Sequence, residues 1–343
     1  MVDVTIMGAG VFGLSVAWSC IRRGARVRVI DPGGPGAGAS GGIVGALAPH
    51  VPEQWNEKKA FQLDSLLMAE DYWAEIEQAS GLPSGYGRLG RIQPLADAAA
   101  IALAQSRAGS AKALWQDNAS WQVIPDYAEV WAPLSASGAV IHDDLSARLH
   151  PRQACDALAG AVAAQGGAIL RDGPPQGAVV WAIGAAGLDA LSQAHTRQVG
   201  TGVKGQAVLL DYDARNKAQI FVDGLHIIPH ADGTVAVGST TERYFDDGRA
   251  TDGKLDDIIM RARDAVPALR DAVEIARCAG LRPRTRSRAP MLGAHPLRPG
   301  AFIANGGFKI GFGMAPKIGE VMADLILSGT DRIPAAFRPE MSY

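Results

Sequence analysis

Residues 2–31, VDVTIMGAGVFGLSVAWSCIRRGARVRVID, decide the fold. Residues 2–7 are a short apolar run of the kind that becomes a buried strand. Gly8-Ala9-Gly10 breaks the run. Over residues 11–23 Val11, Leu14, Ala17, Trp18 and Ile21 recur at helical spacing, and Gly24 stops the helix. Residues 25–30 alternate and are β-rich, and Asp31-Pro32 closes them. This is a βαβ unit of about thirty residues. Gly8, Gly10 and Gly13 spell G-x-G-x-x-G across its first turn, giving the tight turn, the close approach to a pyrophosphate and the close helix packing that a dinucleotide site needs. The helix N-terminus, opening at Val11 and Phe12, offers free N–H groups and partial positive charge to phosphates. Asp31 stands at the end of the second strand, where an acid accepts hydrogen bonds from ribose hydroxyls.

The spacing alone is weak. Gly36, Gly38 and Gly41 spell it again, with no predicted strand before and no predicted helix after. Context makes the first match informative.

Working outward, a Gly-rich loop fills residues 33–45 and a long helix is expected over 60–80, ended by Gly81-Leu82-Pro83. Further helices are expected over 97–115, 151–165 (Pro151 opening it) and 252–265. Residues 178–183 read as a buried strand ending in Gly184. Residues 206–210, 220–222, 226–229 and 235–239 read as strands, with Asp232-Gly233 as a hairpin signal. Residues 301–305 form another strand, after which Gly306-Gly307 and Gly311-Phe312-Gly313 lead into a last helix over 315–327.

The chain has 343 residues, 48% hydrophobic and 20% charged, which suits one or two domains with a large core. A net charge of -2 gives no reason to invoke nucleic acid or an anionic membrane. Cys20, Cys155 and Cys278 are odd in number and lack C-x-x-C spacing, so neither a disulfide framework nor a zinc site is expected. No stretch reads as a signal peptide or as a membrane span, and a cytoplasmic location is the expectation.

Several segments together resemble the D-amino-acid oxidase and glycine oxidase family of flavoenzymes. They are GAGVFGLSVAW at the start, GASGGIVGALAP at 38–49, VKGQ at 203–206, HIIPHADGTVAVGSTTE at 226–242, AGLRP at 279–283 and NGGFKIGFGMAPKIGEVMADLI at 305–326. The resemblance covers nearly the whole chain and implies FAD. It implies that the loop holding Ser40, Gly42 and Leu47 lies along the flavin ring. It also puts the segment with Gly307, Ile310, Gly311, Gly313 and Met314 near the pyrimidine end, and Gly184 at the cofactor. Elementary electrostatics agrees about the second segment, because a helix N-terminus stabilises the negative charge of a reduced flavin. Cys20 and Cys155 fall in predicted helices and Cys278 in a strand, so the flavin is expected to be non-covalent.

Amino-acid oxidation asks mainly for positioning, with the α-hydrogen facing the flavin and the amine neutral. A carboxylate in an apolar pocket asks for arginine. The resemblance assigns that role to Arg282 in Gly280-Leu281-Arg282-Pro283. His226 falls where glycine oxidases carry a pocket tyrosine; it would donate a bond, serve as a base near neutral pH, or be a satisfied strand histidine. Thr241 would line the pocket or play a structural part. Lys309 replaces a family arginine and keeps the charge without the fork. Gly307 stands where the family often has histidine. Arg284, Arg286 and Arg288 are expected to face solvent. His50 is nearer to a structural role.

The expected architecture is α/β (α+β overall): a Rossmann-like FAD-binding domain from 1–80, 140–200 and 280–343, with an inserted substrate domain from 81–139 and 201–279 on an antiparallel sheet. The segment between Leu170 and Val179 is short for the family, as though a β-meander were trimmed. The expected reaction is oxidation of glycine, a small D-amino acid or an N-methyl amino acid, with electrons passing to oxygen or another acceptor. A nicotinamide-dependent dehydrogenase and a non-catalytic nucleotide-binding protein are the rivals, and a homo-oligomer is compatible with the sequence.

Overall fold

A computed structural model describes residues 2–343. Val4–Met7, Val11–Arg22 and Val27–Ile30 form the strand, helix and strand read from the opening residues. Val4–Met7 lies at the centre of a six-stranded sheet. On one side of it come Val27–Ile30 and Ala168–Leu170; on the other come Ala178–Trp181, Phe302–Asn305 and Met291–Ala294. All pairs are parallel except the last, where Met291–Ala294 runs against Phe302–Asn305. The connection from Ala168–Leu170 to Ala178–Trp181 contains no strand of its own, and its Gln176 is pinned on the buried Thr5 hydroxyl by bonds of 2.6 and 2.9 Å.

A second sheet of eight strands runs in the order Val273–Thr285, Gly200–Asp211, Thr234–Gly238, Leu225–Pro229, Gln219–Val222, Arg91–Pro94, Val140–Asp143, Trp121–Ile124. It is antiparallel apart from the pair Gln219–Val222 and Arg91–Pro94. The hairpin at Asp232-Gly233 joins two of its central strands. Val140–Asp143 and the whole of Val273–Thr285 belong to this sheet.

The helix expected over 60–80 is two helices, Glu57–Leu67 and Ala69–Ser80, meeting at Met68. The break lets the first half pack on the last helix and the second half on Pro151–Ala164. Asn56 caps the first half by accepting a hydrogen bond from the Lys59 N–H at 3.2 Å. The last helix runs over Gly311–Ser328, one turn earlier than its apolar stripe predicts, and a helix at Gly184–Ala194 follows the strand that carries Trp181.

The first and last helices are tightly joined. A Cβ on Gly319 would fall 2.7 Å from the Ser15 carbonyl, so only glycine allows the approach. Ser19 Oγ donates to Glu320 at 2.9 Å, and Arg23 pairs with Glu320 at 2.7 Å and Asp324 at 3.0 Å.

Candidate active site and cofactor cleft

The G-x-G-x-x-G turn is built as the spacing requires. A Cβ on Gly13 would lie 2.0 Å from the Gly8 carbonyl, and one on Gly8 2.5 Å from the Ala182 carbonyl, with Gly8 at φ 110°. No side chain caps the Val11–Arg22 helix at Gly10, and of its first donors the Val11 N–H is held by Ser40 Oγ at 3.0 Å. Asp31 accepts from the Ala9 N–H and the Gly33 N–H, both at 2.8 Å, which fixes its carboxylate beside the turn.

The remaining cofactor candidates gather at the same place. A Cβ on Gly307 would lie 2.9 Å from Phe12 Cζ and 3.0 Å from Gly311 Cα. One on Gly311 would be 3.6 Å from Val11, and one on Gly313 3.9 Å from Leu47 Cα. The Gly311–Ser328 helix begins at Ile310 without a side-chain cap, and Met314 is buried behind its first turn. Two long helices therefore start beside one another among glycines, neither capped by the side chain of its N-cap residue and the first with its Val11 N–H held by Ser40. That donor set suits the two anionic parts of a flavin dinucleotide, its pyrophosphate and its pyrimidine edge. Gly42 follows the turn Ala39–Gly41 in the same loop, and Gly184 opens its helix with its carbonyl taken by Asn305 at 2.9 Å.

The eight-stranded sheet closes the cleft. A Cβ on Gly238 would touch Val44 at 2.8 Å, so the middle of the sheet lies on the Ser40–Leu47 loop. His226 stands directly across from Gly238, and Val203 across from Arg282. The Arg282 guanidinium crosses Gly205, where a Cβ would fall 2.3 Å from Nη1. Its Nη1 donates to Ser239 Oγ at 2.6 Å; its Nη2 donates to the carbonyls of Thr240 at 2.6 Å and Lys204 at 3.3 Å. Nε is buried and has no partner among the described residues. Burial pushes this guanidinium down to about 10, against the raising influence of Glu242.

Phe308 joins the two sides of the cleft. Its N–H donates to the Pro283 carbonyl at 3.0 Å, which ties the glycine turn to the strand of Arg282. Arg282, Arg284 and Lys309 surround its ring at 5.8, 5.6 and 5.9 Å from the centroid. Lys309 is exposed, and the protein around its head, with Arg282, lowers its pKa. The His226 ring packs on Phe221 at 4.8 Å, with a covered Nδ1 that lacks a partner. Burial pushes His226 down to about 3, helped by Arg91, Lys309 and Arg282.

Arg282, His226 and Lys309 thus come together. Burial, reinforced by the three nearby cations, lowers His226, which favours its reading as a neutral donor or acceptor over that of a base near neutral pH. Thr241 makes no hydrogen bond with Arg282. It is exposed, and its neighbours Ser239 and Thr240 hold Arg282 instead. Strand alternation stops at Gly238, so the sequence pattern could not say which of the next residues turns inward. Phe308 and Arg91 carried no sequence signal; Arg91 is held by Asp143 at 2.9 Å. His50 bonds Gln62 through its ring and its N–H, a structural role. Arg286 and Arg288 are exposed, whereas Arg284 is half-covered beside Phe308. Sequence spacing marks no metal set, yet the fold brings His150, His230 and Asp232 within 4.8 Å of one another.

A profile of the FAD dependent oxidoreductase family DAO matches residues 3–325. A glycine oxidase of Pseudomonas aeruginosa is 28% identical over 365 residues, covering 98% of this chain and 98% of the relative. Two crystal structures share the fold. Glycine oxidase from Geobacillus kaustophilus has a TM-score of 0.85 at 22% identity, over 98% of this chain and 97% of the other. Iminodiacetate oxidase from Chelativorans has a TM-score of 0.83 at 23% identity, over 98% and 99%.

Proposed function

The chain belongs to the DAO family of FAD-dependent oxidoreductases, and within that family we propose that it oxidises the carbon–nitrogen bond of glycine, a small D-amino acid or an N-methyl amino acid. FAD, held without a covalent bond, supplies the acceptor for the hydride leaving the substrate α-carbon. The α-carbon and nitrogen are then left as an imine, which water hydrolyses to an oxoacid and an amine.

One observation carries this reading. Arg282 is a desolvated guanidinium on the sheet face that lies against the flavin loop, and only uncharged oxygens hold it. Its free hydrogens are on Nε and Nη1, which do not share one edge of the guanidinium. A two-pronged grip on a carboxylate therefore requires releasing an Nη2 contact, and the 3.3 Å bond to the Lys204 carbonyl is the weaker one. His226, neutral and beside the arginine, supplies a ring nitrogen without adding another positive charge. Phe308 and Phe221 keep the pocket apolar. Cys20 and Cys155 are buried in helices, with burial pushing Cys20 up to about 12, so neither is placed to attach a flavin.

Purified protein should be yellow, release FAD on denaturation, and lose its flavin colour when glycine, sarcosine or D-alanine is added without air. Arg282→Ala should keep its FAD and lose about two to four powers of ten in kcat/KM, because a charge is left unpaired in a dry pocket. Arg282→Lys should recover part of that. Bleaching by amines that lack a carboxyl group, with none by amino acids, would remove carboxylate recognition from the site. The rate of recolouring in air against that with an added quinone identifies the acceptor.

A further inference from the structure

We propose that the substrate carries a second carboxylate, so that the preferred amino acids are acidic ones, with Lys309 receiving the distal charge. The inference rests on the amino-acid reading above and deepens it.

Four cations bear on the pocket. Arg91 is neutralised by Asp143 at 2.9 Å, both buried. Arg282 contacts only a hydroxyl and two carbonyls. Lys309 and Arg284 have neither an ion pair nor a side-chain hydrogen bond among the described residues; each only faces the Phe308 ring. The one carboxylate that bears on Arg282, Glu242, is already committed to Lys254 at 2.8 Å, Gln206 at 2.9 Å and the Thr240 hydroxyl. The α-carboxylate of any amino acid answers Arg282 and leaves Lys309 unanswered.

Position supports the same assignment. Arg282 and Lys309 flank one aromatic ring, each within 6 Å of its centroid, so the two ends of one small molecule can meet both. They approach from different segments, the Val273–Thr285 strand and the turn before the last helix, which separates the two anion positions. Arg282 is fixed by three oxygens and suits the invariant α-carboxylate. Lys309 is a compact charge on a flexible stem and suits a distal carboxylate whose distance varies. Arg284, at the rim, adds to the same potential and draws anions inward.

The test uses the FAD-loaded enzyme and has two readouts. In the first, malonate, succinate and glutarate, which cannot be oxidised here, are titrated against acetate and propionate, and the flavin absorbance shift reports binding. The dicarboxylates should bind at least tenfold tighter at low salt, with the advantage shrinking as salt rises. In the second, anaerobic flavin reduction compares D-aspartate, D-glutamate and iminodiacetate with glycine, D-alanine and sarcosine. The acidic substrates should lead by tenfold or more in kcat/KM. Lys309→Met, at an exposed position that should fold normally, should cut both advantages to under threefold, and Lys309→Arg should retain them. Equal affinity for mono- and dicarboxylates, or an acidic preference that Lys309→Met leaves intact, would overturn the proposal. If glycine or D-alanine reduces the flavin and the acidic substrates have no lead, only this inference fails. If no amino acid reduces it, the parent reading fails.

Discussion

Residues 8–13 and 36–41 carry the same glycine spacing, and up to a point they fold alike. In each, the last glycine sits on the carbonyl of the first: a Cβ would lie 2.0 Å from Gly8 O at Gly13, and 2.1 Å from Gly36 O at Gly41. What precedes and follows them differs. The first turn leaves a strand at the centre of a parallel sheet and enters a helix of 12 residues, Val11–Arg22. The second leaves a loop and enters a 3-residue turn, Ala39–Gly41. A macrodipole and a row of aligned N–H groups require several turns of helix, and a single turn supplies neither. The spacing therefore encodes a tight reversal, and the flanking elements turn the reversal into a phosphate site. The two are also wired together, through Val11 to Ser40 and through Asp31 to both Ala9 and Gly33.

The sharpest way to break this contrast is at the matched overlaps. Gly13→Ala should cost about 3 kcal/mol and abolish FAD retention, because backbone must shift inside the sheet–helix contact. Gly41→Ala meets the same overlap but should cost less and leave a yellow protein, since a short turn can relax. Thermal melting and flavin content measure both; equal loss of flavin in the two variants would erase the distinction. Next in size is Asp31→Ala, which should weaken FAD by about 1–3 kcal/mol in equilibrium titrations without altering the order of substrates. An unchanged affinity would leave Asp31 as a brace between the loops and nothing more. The smallest pair is Gly10→Ala and Gly38→Ala. A Cβ on Gly10 would approach Ser40 Oγ at 3.3 Å, whereas one on Gly38 meets nothing within 4 Å. Gly10→Ala should weaken FAD about tenfold with little change in melting, and Gly38→Ala should stay within about 0.5 kcal/mol in both.

The βαβ unit was legible because everything that makes it lies within one stretch: an apolar run, a glycine turn, a helical stripe, a second run and an acid. Elements fixed by distant partners were harder to read. The apolar stripe over 60–80 is continuous, and only the divergent positions of the last helix and Pro151–Ala164 impose the break at Met68. The last helix starts among glycines, poor helix formers, and just before it a Cβ on Gly307 would fall 2.9 Å from Phe12 Cζ. The strands Arg91–Pro94 and Trp121–Ile124 were missed, since short runs gain their identity from neighbours far along the chain. The same divide runs through the site. Arg282 was legible from its motif. The lowered pKa of His226 was not, because it depends on burial and on Arg91, Lys309 and Arg282, which arrive from three other segments.

The joint between the first and last helices has a consequence for biosynthesis. The glycine turn at residue 8 is synthesised about 300 residues before Gly311, Gly319 and Glu320. Until those are made, the helix after Gly10 lacks the surface formed by Gly319 and the partner of Ser19. A nascent chain thus displays a nucleotide fingerprint well before it has a cleft to go with it. Flavin capture therefore waits for residues 311–320, and a chain cut short before residue 311 should be released colourless.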